Sequence, residues 1–406
     1  MAVDLRNPIR HVLETILDEV RLRTDGAVAD YIPELANVDP DGLGIALVST
    51  HGVVHEAGDS TTAFTIQSVS KPLVFALALD ALGLDTVTRH VGLEPSGEPF
   101  NAISLEPGSG RPLNPMINAG AIVTSSLITG DTAEAKFATI RAGLQAFAGR
   151  ELDVDEAVFA SEVATGDRNR ALAYLARSAG TLASTAEVAT GAYFRQCSLT
   201  VTARDLAVMA ATLANGGVNP VTGDRVVSDD ASRWTMAVMT SCGMYDASGE
   251  WLVRVGLPAK SGVGGGIVAM QPDQFGIGTY SPLLDARGNS VRGVAMLELL
   301  SQQSELHLLR HRGEPLSAIA SIAPAGDELV AILRGEIAFA GAEELLTRLI
   351  PLLGDTGCLV LDFTAVTRVA SGAARLLRAA PGLIGDDAAG QPRVVLRDPE
   401  RVLAER

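Results

Sequence analysis

The sequence TIQSVSKPLVFALALDAL, residues 65–82, carries a serine and a lysine at the beginning of a predicted helix. Pro72 suits the first turn of a helix, and apolar residues repeat at helical spacing after it. Ser68 and Lys71 form an SxxK pattern, and on a helix this spacing stacks both side chains on one face. The amine can then take the proton of the serine hydroxyl, provided that it is neutral part of the time. A helix-capping serine beside a solvated lysine is the alternative, because short patterns arise by chance.

A second segment, AKSGVGGGIVAM at residues 259–270, predicts a strand with a glycine-rich turn. Its letters KSG resemble the K-[ST]-G strand of the serine β-lactamase and penicillin-binding-protein class. We expect burial, together with Lys260 as a nearby cation, to lower the pKa of Lys71. The backbone amides of Ser68 and Val263 are candidates for an oxyanion hole, which stabilises a tetrahedral intermediate. Without Ser68, the glycines would indicate only a tight turn or a bulge.

Lysine is scarce, because the chain contains only Lys71, Lys136 and Lys260. Arginine supplies the other fixed positive charge, and a guanidinium does not lose its proton in proteins. A need for an amine that can be neutral explains why Lys71 and Lys260 are lysines. Lys136 follows the acidic segment DTAEA and lies outside both motifs. We therefore expect Lys136 on a solvated helix face.

The composition predicts a folded, acidic protein of two unequal domains. The chain has 406 residues, of which 47% are hydrophobic, and its formal net charge is −16. Such acidity argues against nucleic acid and against an anionic membrane surface as partners. No signal peptide or membrane-spanning segment is predicted. The three cysteines, Cys197, Cys242 and Cys358, form no CxxC pattern, so we expect a cytoplasmic location with neither disulfides nor a zinc site.

Periodicity predicts an α+β arrangement with a long first domain. Its strand segments are 45–49, 53–56 and two adjacent strands within 257–280, and its helices cover most of 116–213 and 294–310. A polar bridge that contains Pro and Gly follows the last of these helices. We place the first domain at 1–311, the linker at 312–320, and a small α/β domain at 321–406.

Seven segments, in order between residues 28 and 309, are similar to the serine-dependent glutaminases. They are VADYIPELANVDPDGLGIA, FTIQSVSKP, NPMINAGAIV, SEVATGDRNRALAY, GAYFRQCS, MYDASGEW and PAKSGVGGGI. The resemblance implies a β-lactamase/transpeptidase-like domain, an antiparallel sheet with a helical subdomain. It implies hydrolysis of L-glutamine to L-glutamate and ammonia through a serine acyl-enzyme. It also implies no metal or organic cofactor and a homo-oligomer, either a dimer or a tetramer.

The resemblance also implies which residues form the site. Ser68 would be the nucleophile, Lys71 its base, and Tyr245 a candidate for passing a proton to the leaving nitrogen. The substrate-binding residues would be Tyr31, Ser68, Asn118, Glu162, Asn169, Tyr193, Tyr245 and Val263, with Lys260 in support. These types suit glutamine, because an α-ammonium favours a carboxylate and an α-carboxylate favours neutral donors.

The segments ELVAILRGEI and LDFTAVTRVASGAARLL resemble a STAS domain (sulphate transporter and anti-sigma factor antagonist). Where phosphorylated members carry D-S-S-G or D-T-S-G, this chain has VASG, with Ser371 and Gly372 at its end. The Asp and the phosphorylatable hydroxyl are therefore absent, and we expect Ser371 to pack at a helix start. The domain is expected to contact protein partners; regulation, nucleotide sensing and dimerisation are alternatives.

Two rival functions are also compatible with these residues. One is a penicillin-interacting serine hydrolase, because the SxxK and KSG motifs are shared with that class. The expected cytoplasmic location, Glu162 and Asn169 argue against it. The other is a catalytically silent regulatory protein that acts through its STAS-like domain in partner switching.

Overall fold

The computed structural model describes residues 8–97, 105–309, 318–326, 328–337, 339–353, 357–386 and 390–404. The chain forms two compact units, Met1–Arg310 and His311–Arg406. Among the described residues, no helix combines the length and the apolar character that a membrane crossing requires.

The first unit mixes α-helices with short β-strands. Its α-helices are α1 Pro8–Val20, α2 Pro33–Ala36, α3 Ser70–Leu82, α4 Leu84–Thr88, α5 Asn118–Leu127, α6 Ala133–Ala148, α7 Glu156–Thr165, α8 Asp167–Ser178, α9 Ala186–Cys197, α10 Ala203–Ala214, α11 Asp229–Cys242, α12 Ser248–Arg254 and α13 Val291–Ser304. Its strands are β1 Gly44–Ser49, β2 Val54–Gly58, β3 Phe64–Thr65, β4 Thr200–Val201, β5 Ala259–Ser261, β6 Gly266–Gln271 and β7 Phe275–Tyr280.

Five of these strands form one antiparallel sheet in the order β2-β1-β7-β6-β5. The strands predicted at 45–49 and 53–56 are confirmed as the antiparallel pair β1 and β2, and the two strands predicted within 257–280 are β6 and β7. Because β1 also pairs with β7, strands from the beginning and the end of the unit are neighbours in the same sheet. The strand that carries Lys260, β5, lies at one edge of this sheet.

Helices cover both faces of the sheet. Apolar side chains of α1 and α13 share a core with β1, β6 and β7 on one face, and α10 packs on the other. A Cβ atom at Gly276 would lie 2.1 Å from the Ala211 nitrogen, and one at Gly278 would lie 2.0 Å from the Ala203 oxygen. Glycine at both positions therefore lets α10 lie directly against the backbone of β7.

Helices α4, α5, α6 and α11 pack against α3. Its side chains are buried from Ser70 to Ala76, and they join a core shared with α6, α10 and α11. A helix that is apolar on nearly every side belongs in the interior. The first turn of α3, which carries Lys71, is consequently held inside the protein.

The expectation that Lys136 lies on a solvated helix face is wrong. Its side chain is buried in the first turn of α6, and Nζ donates to the Ser126 oxygen at 2.8 Å and to the Ile128 oxygen. The last carbonyls of a helix have no partner within the helix, and here Lys136 serves those at the end of α5. The acidic local sequence gave no sign of this contact, because α6 folds back over α5.

The second unit has one sheet with helices. Its elements are β8 Ile319–Ala325, β9 Glu328–Ile337, α14 Phe339–Leu349, β10 Cys358–Val369, α15 Ser371–Ile384 and β11 Val394–Arg397. The strand order is β11-β10-β9-β8, with β10 parallel to β9 and β11, and β8 antiparallel to β9. Residues 312–317 of the expected linker lie outside the described residues, and its last two positions already belong to β8. Ser371 is the first residue of α15, as expected.

Candidate active site

The first unit contains a cavity of about 290 Å³ that is lined by most of the predicted site residues. Its size suits a small molecule, because ligand pockets start at about 300 Å³. The lining residues are Tyr31, Gln67, Ser68, Asn118, Glu162, Thr165, Gly166, Arg168, Asn169, Tyr193, Cys197 and Val263. Of the predicted set, Lys71, Tyr245 and Lys260 are absent from this lining, and all three are buried.

Ser68 lies in a 3-10 turn, Gln67–Val69, immediately before α3. Gln67 has a φ of 47°, which is an uncommon conformation for a residue other than glycine. Ser70 Oγ donates to the Gln67 oxygen at 2.7 Å, and Gln196 Nε2 donates to Ser70 Oγ at 2.9 Å. These buried bonds fix the strained turn, and strained turns of this kind concentrate at functional sites.

Lys71 is placed as an amine that loses its proton easily. It is 1% exposed, and Nζ donates to Asn118 Oδ1 at 2.6 Å and to the Met116 oxygen at 3.4 Å. Burial lowers the pKa of Lys71 to about 8, against the smaller opposing effects of Cys197 and Glu162. An amine with this pKa is neutral in a useful fraction of molecules near neutral pH.

Glu162 supplies a carboxylate to the cavity wall. Tyr31 Oη lies 3.1 Å from Glu162 Oε1 and 3.3 Å from Gln67 Oε1. Burial raises the pKa of Glu162, while hydrogen bonds from Tyr31 and Gln67 and the charge of Lys71 act in the opposite direction. Tyr31 as a whole residue is 49% exposed, but its hydroxyl lies beside Glu162, and burial of that end and the charge of Glu162 raise the pKa of Tyr31.

Asn118 connects the base to the other polar residues of the wall. Its Oδ1 accepts from Lys71 and lies 3.5 Å from Tyr193 Oη, and its Nδ2 donates to Asn169 Oδ1 at 3.0 Å. Asn118 is the first residue of α5, and Asn169 lies in the first turn of α8. Two helix starts therefore converge on the same cavity.

Tyr245 stands between Ser68 and the edge strand β5. Its hydroxyl donates to the Ser261 oxygen at 3.1 Å. Burial raises the pKa of Tyr245, and a hydrogen bond with Ser68 partly offsets that rise.

Lys260 is fully buried on β5. Burial, and then the charge of Lys71, lower the pKa of Lys260 well below its ordinary value. The main cause of the low pKa of Lys71 is its own burial. The described residues contain no group of three or more His, Cys, Asp or Glu side chains that could hold a metal ion.

A family model described as glutaminase matches residues 26–309. The chain belongs to the glutaminase family. It is 49% identical over 360 residues to glutaminase 1 of Bradyrhizobium diazoefficiens, covering 88% of this chain and 59% of that relative. It is 43% identical over 403 residues to the glutaminase of Corynebacterium glutamicum, covering 99% and 97%. The chain thus spans only 50–59% of the length of the two Bradyrhizobium glutaminases that it matches.

Solved glutaminase structures share the mixed α/β fold. The structure described as Mglu superposes with a TM-score of 0.88 at 42% identity, covering 98% of this chain and 100% of that one. A probable glutaminase from Bacillus subtilis, complexed with 6-diazo-5-oxo-L-norleucine, superposes with a TM-score of 0.69 at 35% identity. The superposition covers 74% of this chain and 97% of the Bacillus chain.

Sequence reasoning missed five lining residues of this glutaminase-family cavity: Gln67, Thr165, Gly166, Arg168 and Cys197. All five lie inside quoted motifs, next to a predicted residue or within a few positions of one. Their position within these motifs could therefore have identified them as residues of the cavity wall. Cys197 ends α9, and burial raises the pKa of its thiol to about 12, so that it remains protonated and unreactive.

Proposed function

We propose that this chain hydrolyses the side-chain amide of L-glutamine to L-glutamate and ammonia. The observation that carries the proposal is that Ser68 lines the cavity, that the buried Lys71, with a pKa of about 8, bonds to the lining residue Asn118, and that Tyr245 forms a hydrogen bond with Ser68. Family membership supports it, and a structure of Mglu at 39% identity is described in its glutamate form. Glutamate is the product that this reaction would leave.

In the first step the Ser68 oxygen attacks the amide carbon and Lys71 takes its proton. The amides of Ser68 and Val263 stabilise the oxyanion. The proton reaches the leaving nitrogen through Tyr245, the carbon–nitrogen bond breaks, and ammonia departs. Water then attacks the glutamyl ester while Lys71 takes a proton from it, and Lys71 returns that proton to the Ser68 oxygen as glutamate is released. Every proton in these steps is moved by a side chain of this chain.

Substrate recognition uses the charges at the wall of the cavity. Glu162 accepts the α-ammonium group, because a buried carboxylate gains most from a cationic partner. Asn118, Asn169 and Tyr193 supply neutral groups for the α-carboxylate, with Tyr31 closing the same side of the cavity. The side-chain amide then points toward Ser68.

The test is ammonia release from glutamine by the purified chain and by its Ser68→Ala variant. We expect release by the unaltered chain and its loss in the variant, with glutamate still bound by the variant. Absence of release by a folded, unaltered chain would favour a catalytically silent regulatory protein. Turnover of a chromogenic β-lactam in place of glutamine would favour a penicillin-interacting hydrolase.

The larger assignments are proposals of the same kind. The first unit is a β-lactamase/transpeptidase-like domain, supported by its antiparallel sheet and surrounding helices. The second, at about 321–406, is STAS-like and contacts protein partners, supported by a sheet with one antiparallel edge strand and helices α14 and α15. The chain acts in the cytoplasm as a dimer or tetramer. Mass measurement in solution, with and without the second unit, tests the assembly.

A further inference from the structure

The backbone at Tyr245 is strained. Its φ is 56°, in the left-handed region that a bulky residue rarely adopts. Such a conformation persists only where the surrounding structure over-determines it. The 3-10 turn Tyr245–Ala247 receives part of that support from Ser248, whose Oγ accepts from the Met244 nitrogen at 3.1 Å and donates to the Tyr245 oxygen at 2.9 Å.

The turn also lies tightly against β5. A Cβ atom at Gly243 would stand 1.7 Å from the Ala259 oxygen, so only glycine allows this approach. The Ser261 nitrogen lies 3.4 Å from the Gly243 oxygen. The segment that carries Tyr245 and the strand that carries Lys260 are therefore packed backbone to backbone.

Two side chains converge on one carbonyl at this contact. The Lys260 amine and the Tyr245 hydroxyl both donate to the Ser261 oxygen. The same Lys260 nitrogen lies 4.0 Å from the centre of the Tyr245 ring. Lys260 thus touches the face of the ring and the acceptor of the hydroxyl, which leaves the phenol little freedom to tilt away from Ser68.

Burial of Lys260 also has a cost. Its side chain is completely buried, and an amine removed from water destabilises the fold unless it gains good partners. A methionine of similar length would fill the space without that cost. A lysine at this position is accordingly explained by what its amine does to the neighbouring groups.

We propose that Lys260 is a positioning residue for Tyr245, holding the phenol against Ser68 through the ring face and the shared Ser261 carbonyl. The inference rests on the proposed function, because it assigns Lys260 a role in the same reaction. It replaces the expected role of Lys260 as a fixed cation acting on Lys71. The two roles predict different kinetics.

The experiment is a double-mutant cycle between Lys260→Met and Tyr245→Phe, with kcat and KM for glutamine measured for all four proteins. We expect Lys260→Met to lower kcat by about tenfold to a hundredfold, the size expected for a misplaced catalytic group, with KM changed by much less. In the Tyr245→Phe background the same substitution should change kcat by less than about twofold, because no hydroxyl is left to position. Independent, multiplying effects would overturn the proposal.

The pH profile separates positioning from charge. If Lys260 acts through Tyr245, the rise of kcat/KM with pH that Lys71 governs should keep its midpoint in Lys260→Met. A midpoint moved to higher pH would show that Lys260 acts by lowering the pKa of Lys71, and would refute the proposal. If thermal melting shows that Lys260→Met is unfolded, Lys260→Gln, which keeps an N–H donor, takes its place and should obey the same cycle. If both variants fold, Lys260→Gln should retain more kcat than Lys260→Met. The Ser68→Ala assay reports separately on the proposed function.

Discussion

Replacing Lys71 by arginine is the most direct test of the proposed base. An amine with a pKa of about 8 is neutral in about one molecule in ten at pH 7. A guanidinium with a pKa above 12 is neutral in fewer than about one in 10⁵. The ratio of neutral fractions is on the order of 10⁴, which corresponds to about 5.5 kcal/mol in the activation barrier. We expect kcat for ammonia release to fall by that order.

The fit of the larger group must be separated from its basicity. Lys71 is enclosed and bonds to Asn118, so we expect Lys71→Arg to melt at a lower temperature than the unaltered chain. The matched control is Lys71→Met, which fits the same space and has no base. Both variants should be inactive while folded by thermal melting. Retention of more than about a tenth of normal turnover by folded Lys71→Arg would refute the assignment, and an active Lys71→Met would do so more strongly.

Four further outcomes follow from the same geometry. The kcat/KM of the unaltered chain should rise about tenfold per pH unit below pH 8 and level off above it, because the deprotonated Lys71 is the active form; a flat profile from pH 6 to 9 contradicts this. Lys136→Arg should destabilise the chain by about 1–3 kcal/mol in denaturant unfolding, because the guanidinium must enter a buried site, while kcat of the folded protein stays normal. Asparagine should be hydrolysed on the order of a hundredfold more slowly than glutamine, since one missing methylene misplaces the amide; comparable rates would be inconsistent with fixed α-carbon contacts. A chain ending at Pro315 should still release ammonia, because every proposed site residue lies in the first unit; a folded but inactive truncation would assign the second unit to the catalytic machinery.

The parts of the site that sequence reasoning reached are those encoded locally or by motif. The three-residue spacing of Ser68 and Lys71 predicted their proximity, and α3 begins in that segment. The positive φ of Gln67 could not be predicted, because nothing in the sequence of residues 65–72 requires that conformation. The contacts that support it come from Gln196, which is distant in sequence and meets the turn only after α9 has packed.

The edge of the sheet gives the same lesson for the fold. The strands around Lys260 were predicted from glycine and β-branched residues, but not that β1 joins β7. Such pairing depends on which apolar faces find each other across the whole unit, and local propensity carries little of that information. The close packing of Gly243 on Ala259 was likewise hidden, because a lone glycine fits a turn equally well.

The scarcity of lysine has a physical meaning wider than catalysis. All three lysines are buried, whereas the expectation was that one of them was solvated. For Lys71 the fall in pKa from 10.5 to about 8 corresponds to a cost of about 3 kcal/mol in the free energy of unfolding below pH 8. The unfolded chain binds more protons between those two values, so stability should rise with pH across that window. Lys136 shows that an interior amine can equally serve to bind the end of a helix. In this chain each lysine therefore places a compact positive charge, which can lose its proton, in the protein interior. The neighbouring groups decide whether that amine transfers protons or donates hydrogen bonds to carbonyl oxygens.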